Sequence, residues 1–145
     1  MKMLAIASEG GHWIQLNRLR PLFEEFETVY ATTNASLAEM VDGRVYIVQD
    51  ASAWSKLKLI KTAWQILLIL IKERPRAIVT TGAAPGLLAI LIGRIVGAKT
   101  IWIDSIANSE KMSGSGRLAR YCAHKCLTQW EPLRGDRVEY WGRVL

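Results

Sequence analysis

The residue types best equipped for chemistry in this chain fall into three short segments. The first is Ser8-Glu9-Gly10-Gly11-His12. Paired glycines let backbone approach a ligand closely, and a helix opening behind them turns free N–H groups towards an anion. His12 stands at the mouth of that turn, and histidine is the side-chain type suited to moving protons near neutral pH. The second segment, Thr80-Thr81-Gly82-Ala83-Ala84-Pro85-Gly86, is again a small-residue turn that opens a helix. The third runs from Asp104-Ser105 to Ser113-Gly114-Ser115-Gly116-Arg117, where serine hydroxyls, glycine N–H groups and a guanidinium all donate to anions. Glu9 and Asp104 are further candidate bases or hydroxyl ligands, although helix-start electrostatics and capping account for acidic residues at such positions equally well. Each turn alone reads as a solvated loop. Converging at one sheet edge, the three suit a diphosphate.

Several other chemistries are not encoded. The first turn lacks both the third glycine of a dinucleotide fingerprint and the Lys-Ser/Thr of a P-loop. In Cys122-x-His124-x-Cys126 the two cysteines share a helix face while the histidine points away, and structural zinc needs four convergent ligands, so no metal site is expected. There is no Gly-x-Ser-x-Gly elbow and no metalloprotease motif. The basic residues are scattered, with no recognised nucleic-acid-binding module.

The elements that must position these turns alternate between short apolar runs and helical patterns. That is the signature of βαβ units around a parallel sheet. Strands are expected over residues 2–8, 28–32, 45–49, 77–81, 100–103, 125–128 and 138–141. Helices are expected from His12 onwards with the stripe Leu16, Leu19, Phe23 and Phe26, then over 35–40, 85–96 and 117–124. Pro21 should kink the first helix, and Pro85 suits the first position of its own. The sum is a single α/β domain, 1–145, with a Rossmann-like, doubly wound and mainly parallel sheet, and ligands belong outside the carboxyl ends of its strands.

Size and composition agree. One domain of 145 residues with half its residues apolar can build its own core, and a net charge of +6 points to an anionic partner. Two cysteines are too few for a secreted disulfide framework, so a reducing compartment is expected. The first residues run into Glu9 too soon for a signal h-region.

The stretch from Trp54 to Lys72 is apolar on every face over Ile66–Ile71, with Lys56, Lys58 and Lys61 before it and Lys72, Arg74 and Arg76 after it. Its uncharged run is well short of the ~20 residues that span a bilayer. It reads as a buried crossover helix, as a helix partly sunk in a membrane interface, or as both, one face on each side. In the interfacial reading Lys58, Lys61, Trp64, Leu68 and Ile71 meet the anionic membrane surface.

These motifs, in this order, carry a family resemblance. The segment Ala5-Ile6-Ala7-Ser8-Glu9-Gly10-Gly11-His12-Trp13 resembles the Ser-x-Gly-Gly-His opening of the Alg-fourteen-like family, which includes bacterial PssD-type proteins. Thr81-Gly82-Ala83-Ala84-Pro85-Gly86 is similar to the family's Gly-Pro-Gly loop. The stretch from Ile101 to Arg117, with Cys126-Leu127-Thr128-Gln129-Trp130, is similar to its acidic-Ser-x-Ala loop, its Ser-x-Thr-Gly-Lys and its terminal Gln-Trp. Asp104 replaces a usual glutamate, and Ser115-Gly116-Arg117 replaces Thr-Gly-Lys.

The resemblance implies the N-terminal, acceptor-side half of a GT-B glycosyltransferase split across two polypeptides. A donor-binding partner similar to the C-terminal half of MurG would supply most of the UDP-sugar site. The sugar, N-acetylglucosamine or another hexose, would pass with inversion to a polyprenyl-diphosphate-linked acceptor, without metal or other cofactor. His12 is then the expected base. Gly10, Gly11, Gly82, Ser105 and the Ser113, Gly114, Ser115, Gly116, Arg117 loop would hold the acceptor's diphosphate or the interface between the halves. Peripheral attachment to the cytoplasmic face of a bacterial membrane is expected, since the anchor of the animal and fungal forms is not seen.

Two alternatives belong to other classes. One is a free-standing Rossmann nucleotide-binding domain, against which no acidic residue follows the glycines at the ribose-binding distance, where Thr33-Asn34 stands. The other is a non-catalytic membrane adaptor that recruits a soluble transferase.

Overall fold

The computed structural model of the chain describes residues 1–51 and 55–144; Trp54, the expected start of the long apolar stretch, lies outside them. Seven strands are described: β1 (Lys2–Ile6), β2 (Glu27–Thr32), β3 (Val45–Ile47), β4 (Ala77–Thr80), β5 (Lys99–Ile103), β6 (Lys125–Thr128) and β7 (Glu139–Tyr140). They form one sheet in the order β3-β2-β1-β4-β5-β6-β7, and all neighbours are parallel. The chain winds outwards from β1 in one direction and from β4 in the other. A crevice therefore opens between the carboxyl ends of these two central strands.

Helices cover both faces, which is why the central strands read as unbroken apolar runs rather than alternating ones. Trp13 and Leu16 of α1 (Gly11–Asn17) and Phe23 of α2 (Arg20–Phe23) pack with Met3, Ala5, Tyr30 and Val79 on one face. On the other, Ile66, Ile69 and Leu70 of α3 (Lys56–Glu73) and Ala89 of α4 (Ala83–Ile95) pack with Leu4, Ile6, Val29 and Ile78. Ala119 of α5 (Gly114–Cys122) extends that layer over Trp102 and Cys126. The expected doubly wound Rossmann-like sheet is the observed one.

Three helix boundaries differ from the expectation, each for a local reason. The first helix divides at Arg18 and Leu19, ahead of Pro21, which takes the second position of α2. There its missing N–H has no helical partner to lose. Helix α4 begins at Ala83, so Pro85 is its third residue, still within the turn whose N–H groups are orphaned. Helix α5 begins at Gly114, three residues early, because Ser113 Oγ accepts the Gly116 N–H at 2.9 Å and caps it.

The amino edge of the sheet is tied by one carboxylate. Glu73, the last residue of α3, is 4% exposed. It accepts from Tyr46 Oη at 2.6 Å, from Lys2 Nζ at 3.1 Å and from Arg44 Nη1. The Tyr46 hydrogen bond, with those of Lys2 and Arg44, outweighs the cost of burial and holds this carboxyl down at about 2.

Candidate active site

The Gly10-Gly11-His12 turn leaves β1 and the Thr81-Gly82 turn leaves β4, so the two face each other across the crevice. They are docked by reciprocal hydrogen bonds. His12 Nδ1 lies 3.0 Å from the Thr81 carbonyl oxygen, and Thr81 Oγ1 donates to the His12 carbonyl oxygen. A carbonyl oxygen only accepts, so Nδ1 carries the proton, and Nε2 is the nitrogen whose lone pair the neutral form of the ring offers. Gly82 makes this possible twice over. Its φ of +130° suits glycine alone, and a Cβ there would lie 2.7 Å from His12 Nδ1. Helices α1 and α4 are both capped by glycine, with no side chain on their first N–H groups. Those donors face the crevice.

A buried amide bridge joins this pair to the third segment. Gln15, one turn along α1 from His12, donates from Nε2 to Ser105 Oγ at 3.0 Å. Its Oε1 accepts from Ile106 N at 3.1 Å and from Gln129 Nε2 at 2.6 Å. Gln129 Nε2 also donates to the Asp104 carbonyl oxygen at 3.0 Å, and its Oε1 accepts from Val144 N at 2.7 Å. The sequence reading missed Gln15 and Gln129 as positioning residues. Their signal was a polar side chain beside the apolar stripe of a helix and another closing an apolar strand.

Asp104 is corrected from a candidate base to the organiser of its own loop. It is 1% exposed, and its carboxylate accepts from Trp102 Nε1 (3.1 Å), Ser113 Oγ (2.6 Å), Ser113 N (3.0 Å) and Asn108 Nδ2 (3.3 Å). No lone pair is left for a substrate proton. Gly116 packs on the same carboxylate, 2.5 Å from Oδ1 to where its Cβ would be. The Ser113 hydroxyl is spent between Asp104 and the α5 cap. Arg117 lines a depression with Glu110, Arg120 and Asp136 beside the β6–β7 connection. Gly114 and Ser115 lie in the first turn of α5.

Glu9 turns the other way from His12. Its carboxylate accepts from Asn34 Nδ2 at 2.7 Å and its N–H donates to Thr33 Oγ1 at 3.0 Å, both beyond β2, on the far side of β1 from β4. Burial, reinforced by the Asp104 charge, pushes the Cys126 thiol up to about 12, so it offers no thiolate nucleophile. A depression of about 860 Å³ lined by Met1, Arg74, Val96 and Lys99 lies at the amino edge, away from the glycine turns.

Helix α3 divides its apolar residues between two faces. Ile66, Ile69 and Leu70 are core, whereas Leu57 (82% exposed), Ile60, Trp64, Leu68 and Ile71 form an outward stripe at helical spacing. Lys58 and Lys61 flank it and are exposed. Helix α4, packed alongside, adds Leu91 and Ile95, the latter 83% exposed. Among the described residues no helix is long and apolar enough to cross a membrane.

The fold is similar to less than half of each of several longer solved proteins. The crystal structure of MurG from Acinetobacter baumannii superposes with a TM-score of 0.79 at 10% identity, over 96% of this chain and 45% of that one. UDP-N-acetylglucosamine 2-epimerase from Rickettsia bellii gives 0.75 at 12% identity, over 99% and 45%. The Neisseria meningitidis UDP-GlcNAc 2-epimerase, solved bound to UDP-GlcNAc, gives 0.72 at 12% identity, over 99% and 47%. The chain thus spans less than half the length of these solved proteins. It belongs to the family described as oligosaccharide biosynthesis protein Alg14 like, matched over residues 16–144. Among curated proteins, none matches the sequence.

Proposed function

We propose that this chain is the acceptor-side half of a two-chain glycosyltransferase, acting at a membrane surface on a polyprenyl-diphosphate-linked sugar. The observation that carries the reading is the half crevice: His12 and two glycine-capped helix starts converge at the strand switch of a domain spanning 45% of MurG. The donor, a UDP-sugar with N-acetylglucosamine or another hexose, is then held mostly by a partner chain similar to the C-terminal half of MurG.

His12 Nε2 takes the proton of the acceptor hydroxyl as that oxygen attacks the anomeric carbon. The bond to the UDP oxygen breaks, the diphosphate leaves with its electron pair, and the anomeric centre inverts. The Thr81 carbonyl, bonded to Nδ1–H, orients the ring and stabilises the imidazolium that forms. The N–H groups behind Gly10 and Gly82 bind diphosphate oxygens of the acceptor. The outward stripe of α3 and α4 enters the interfacial region of the cytoplasmic leaflet, with Lys58 and Lys61 at head-group level.

The test is transfer of labelled sugar from UDP-N-acetylglucosamine to a polyprenyl-diphosphate acceptor in vesicles. No transfer is expected from the purified chain alone. Transfer is expected once a donor-binding partner chain is added. Turnover by the isolated chain would overturn the split-enzyme reading.

A further inference from the structure

Away from the crevice, the packing of α5 against the connection between β6 and β7 gathers guanidinium groups without carboxylate partners. Arg120 lies over the Tyr121 ring at 4.7 Å, and its Nη2 donates to Tyr121 Oη at 2.7 Å. Arg137, from the turn Gly135–Val138, lies over the same ring at 5.3 Å. Two cations on one ring is costly unless an anion lies near them. The ion pairs among the described residues include neither of them. Arg120 Nε–H is buried and has no hydrogen-bond partner among the described residues. An orphaned N–H on a charged group is an expensive feature to keep without an acceptor.

Beside Arg120 is a depression of about 300 Å³ whose wall includes Gly135, Arg137, His124 and Glu139. Glu139, its one acidic lining residue, is already paired with Lys125 at 3.0 Å. On the other side of Arg120 a smaller depression carries Lys111 and Arg117 against Glu110 and Asp136. The 300 Å³ depression is therefore the more positive of the two. It lies towards the amino end of β6, at the opposite edge of the sheet from His12.

We infer that Arg120 and Arg137 form a second anion site, built for a phosphate group and separate from the crevice. A guanidinium offers N–H groups in a fork that matches two phosphate oxygens, and the stacked Tyr121 ring holds both forks in place. The phosphate is either that of a lipid head group, since Leu118 and Tyr121 of α5 are exposed beside the site, or one free in solution. This site does not depend on the proposed transfer reaction, because it is read by binding without any acceptor or partner.

The experiment follows the Arg120 Nε–H by nitrogen-15 NMR on the full chain. Inorganic phosphate is titrated in one arm, and phosphatidylcholine vesicles with and without phosphatidylglycerol in the other. A saturable shift is expected, weakened about fivefold or more in Arg137→Asn, the loss expected for one basic residue at a phosphate surface. Asparagine tolerates the left-handed backbone of residue 137, φ +60°, so that variant keeps the turn. Arg76→Gln, with the same charge loss elsewhere, should leave the shift unchanged. Saturation by phosphatidylglycerol vesicles at far lower phosphate than by the free ion identifies a lipid head group; saturation by the free ion alone identifies a soluble phosphate. No saturable shift with either probe, or equal shifts in Arg137→Asn and the parent, overturns the site.

Discussion

At the amino edge of the sheet, the Glu73 carboxylate collects Lys2, Arg44 and Tyr46; at the carboxyl edge, His12 has one ring nitrogen on the Thr81 carbonyl and the other without a partner among the described residues. The first arrangement spends a charge on holding three elements together. The second spends only enough hydrogen bonding to aim a side chain. Asp104 shows that the carboxyl edge also contains a saturated carboxylate, but it sits beneath the crevice and shapes the loop above it. Buried and saturated groups at this edge are structural, and the group proposed to react is the one left half-satisfied.

The contrast breaks first at His12. His12→Ala should lower turnover of the reconstituted pair by ~10²–10⁴-fold, the range for a lost general base. Its melting temperature should hardly move. His12→Gln should be nearly as inactive, and activity retained by glutamine would make His12 an acceptor ligand instead. Gly82→Ala sharpens the point from the opposite loop. The new Cβ would sit 2.7 Å from His12 Nδ1 on a backbone at φ +130°. The displaced ring should cost ~10²-fold in turnover, with substrate binding measured separately changing far less.

Glu73→Gln should do the reverse. Turnover per folded molecule at neutral pH should be unchanged, while chemical denaturation shows a loss of roughly 2 kcal/mol, below the fully buried range because Arg44 and Lys2 are partly solvated. The sign with pH follows from a folded value of about 2 against an ordinary 4.5. The stabilisation is whole above the ordinary value and is lost as pH falls from there through about 2. An acid denaturation series should therefore show a limb in the parent that flattens in the glutamine variant. The smallest effect belongs to the outward stripe. Charge reversal at Lys58 or Lys61 should weaken flotation with anionic vesicles by about 1 kcal/mol per residue and leave melting intact. Flotation that is unchanged and insensitive to salt would remove the membrane from the proposed function.

Legibility in the sequence divided along similar physical lines. Strands such as Lys2–Ile6 and Ala77–Thr80 were readable because a parallel sheet buried on both faces demands nearly unbroken apolar runs. The two faces of α3 were not separable in a run apolar all round, and only the packing of Ile66, Ile69 and Leu70 on the sheet sets one apart from the other. The start of α5 was not readable either, since Gly114-Ser115-Gly116 has loop composition and only the Ser113 cap and the tight seat of Gly116 on Asp104 make it helical. The turn around His12 was visible as paired glycines with a titratable neighbour. What residue types could not reveal is which polar groups consume one another. Asp104 and Ser113 look as available on paper as His12, and it is their bonds to each other and to Trp102, Asn108 and Gly116 that occupy them.

The crevice also has a place in the order of folding. Its two turns flank the pairing of β1 with β4, which joins Met3 to Ala77 and is the longest-range strand contact in the sheet. The other strand pairs close over much shorter separations, such as Lys2 with Glu27 or Ile101 with Lys125. Loop-closure entropy makes the β1–β4 pairing the slowest to form. His12 meets Thr81 only after it has formed, so the docking of these two turns is acquired late, when both halves of the sheet are already joined. Amide exchange at Leu4 and Val79 would then track the closing of the crevice rather than the collapse that precedes it.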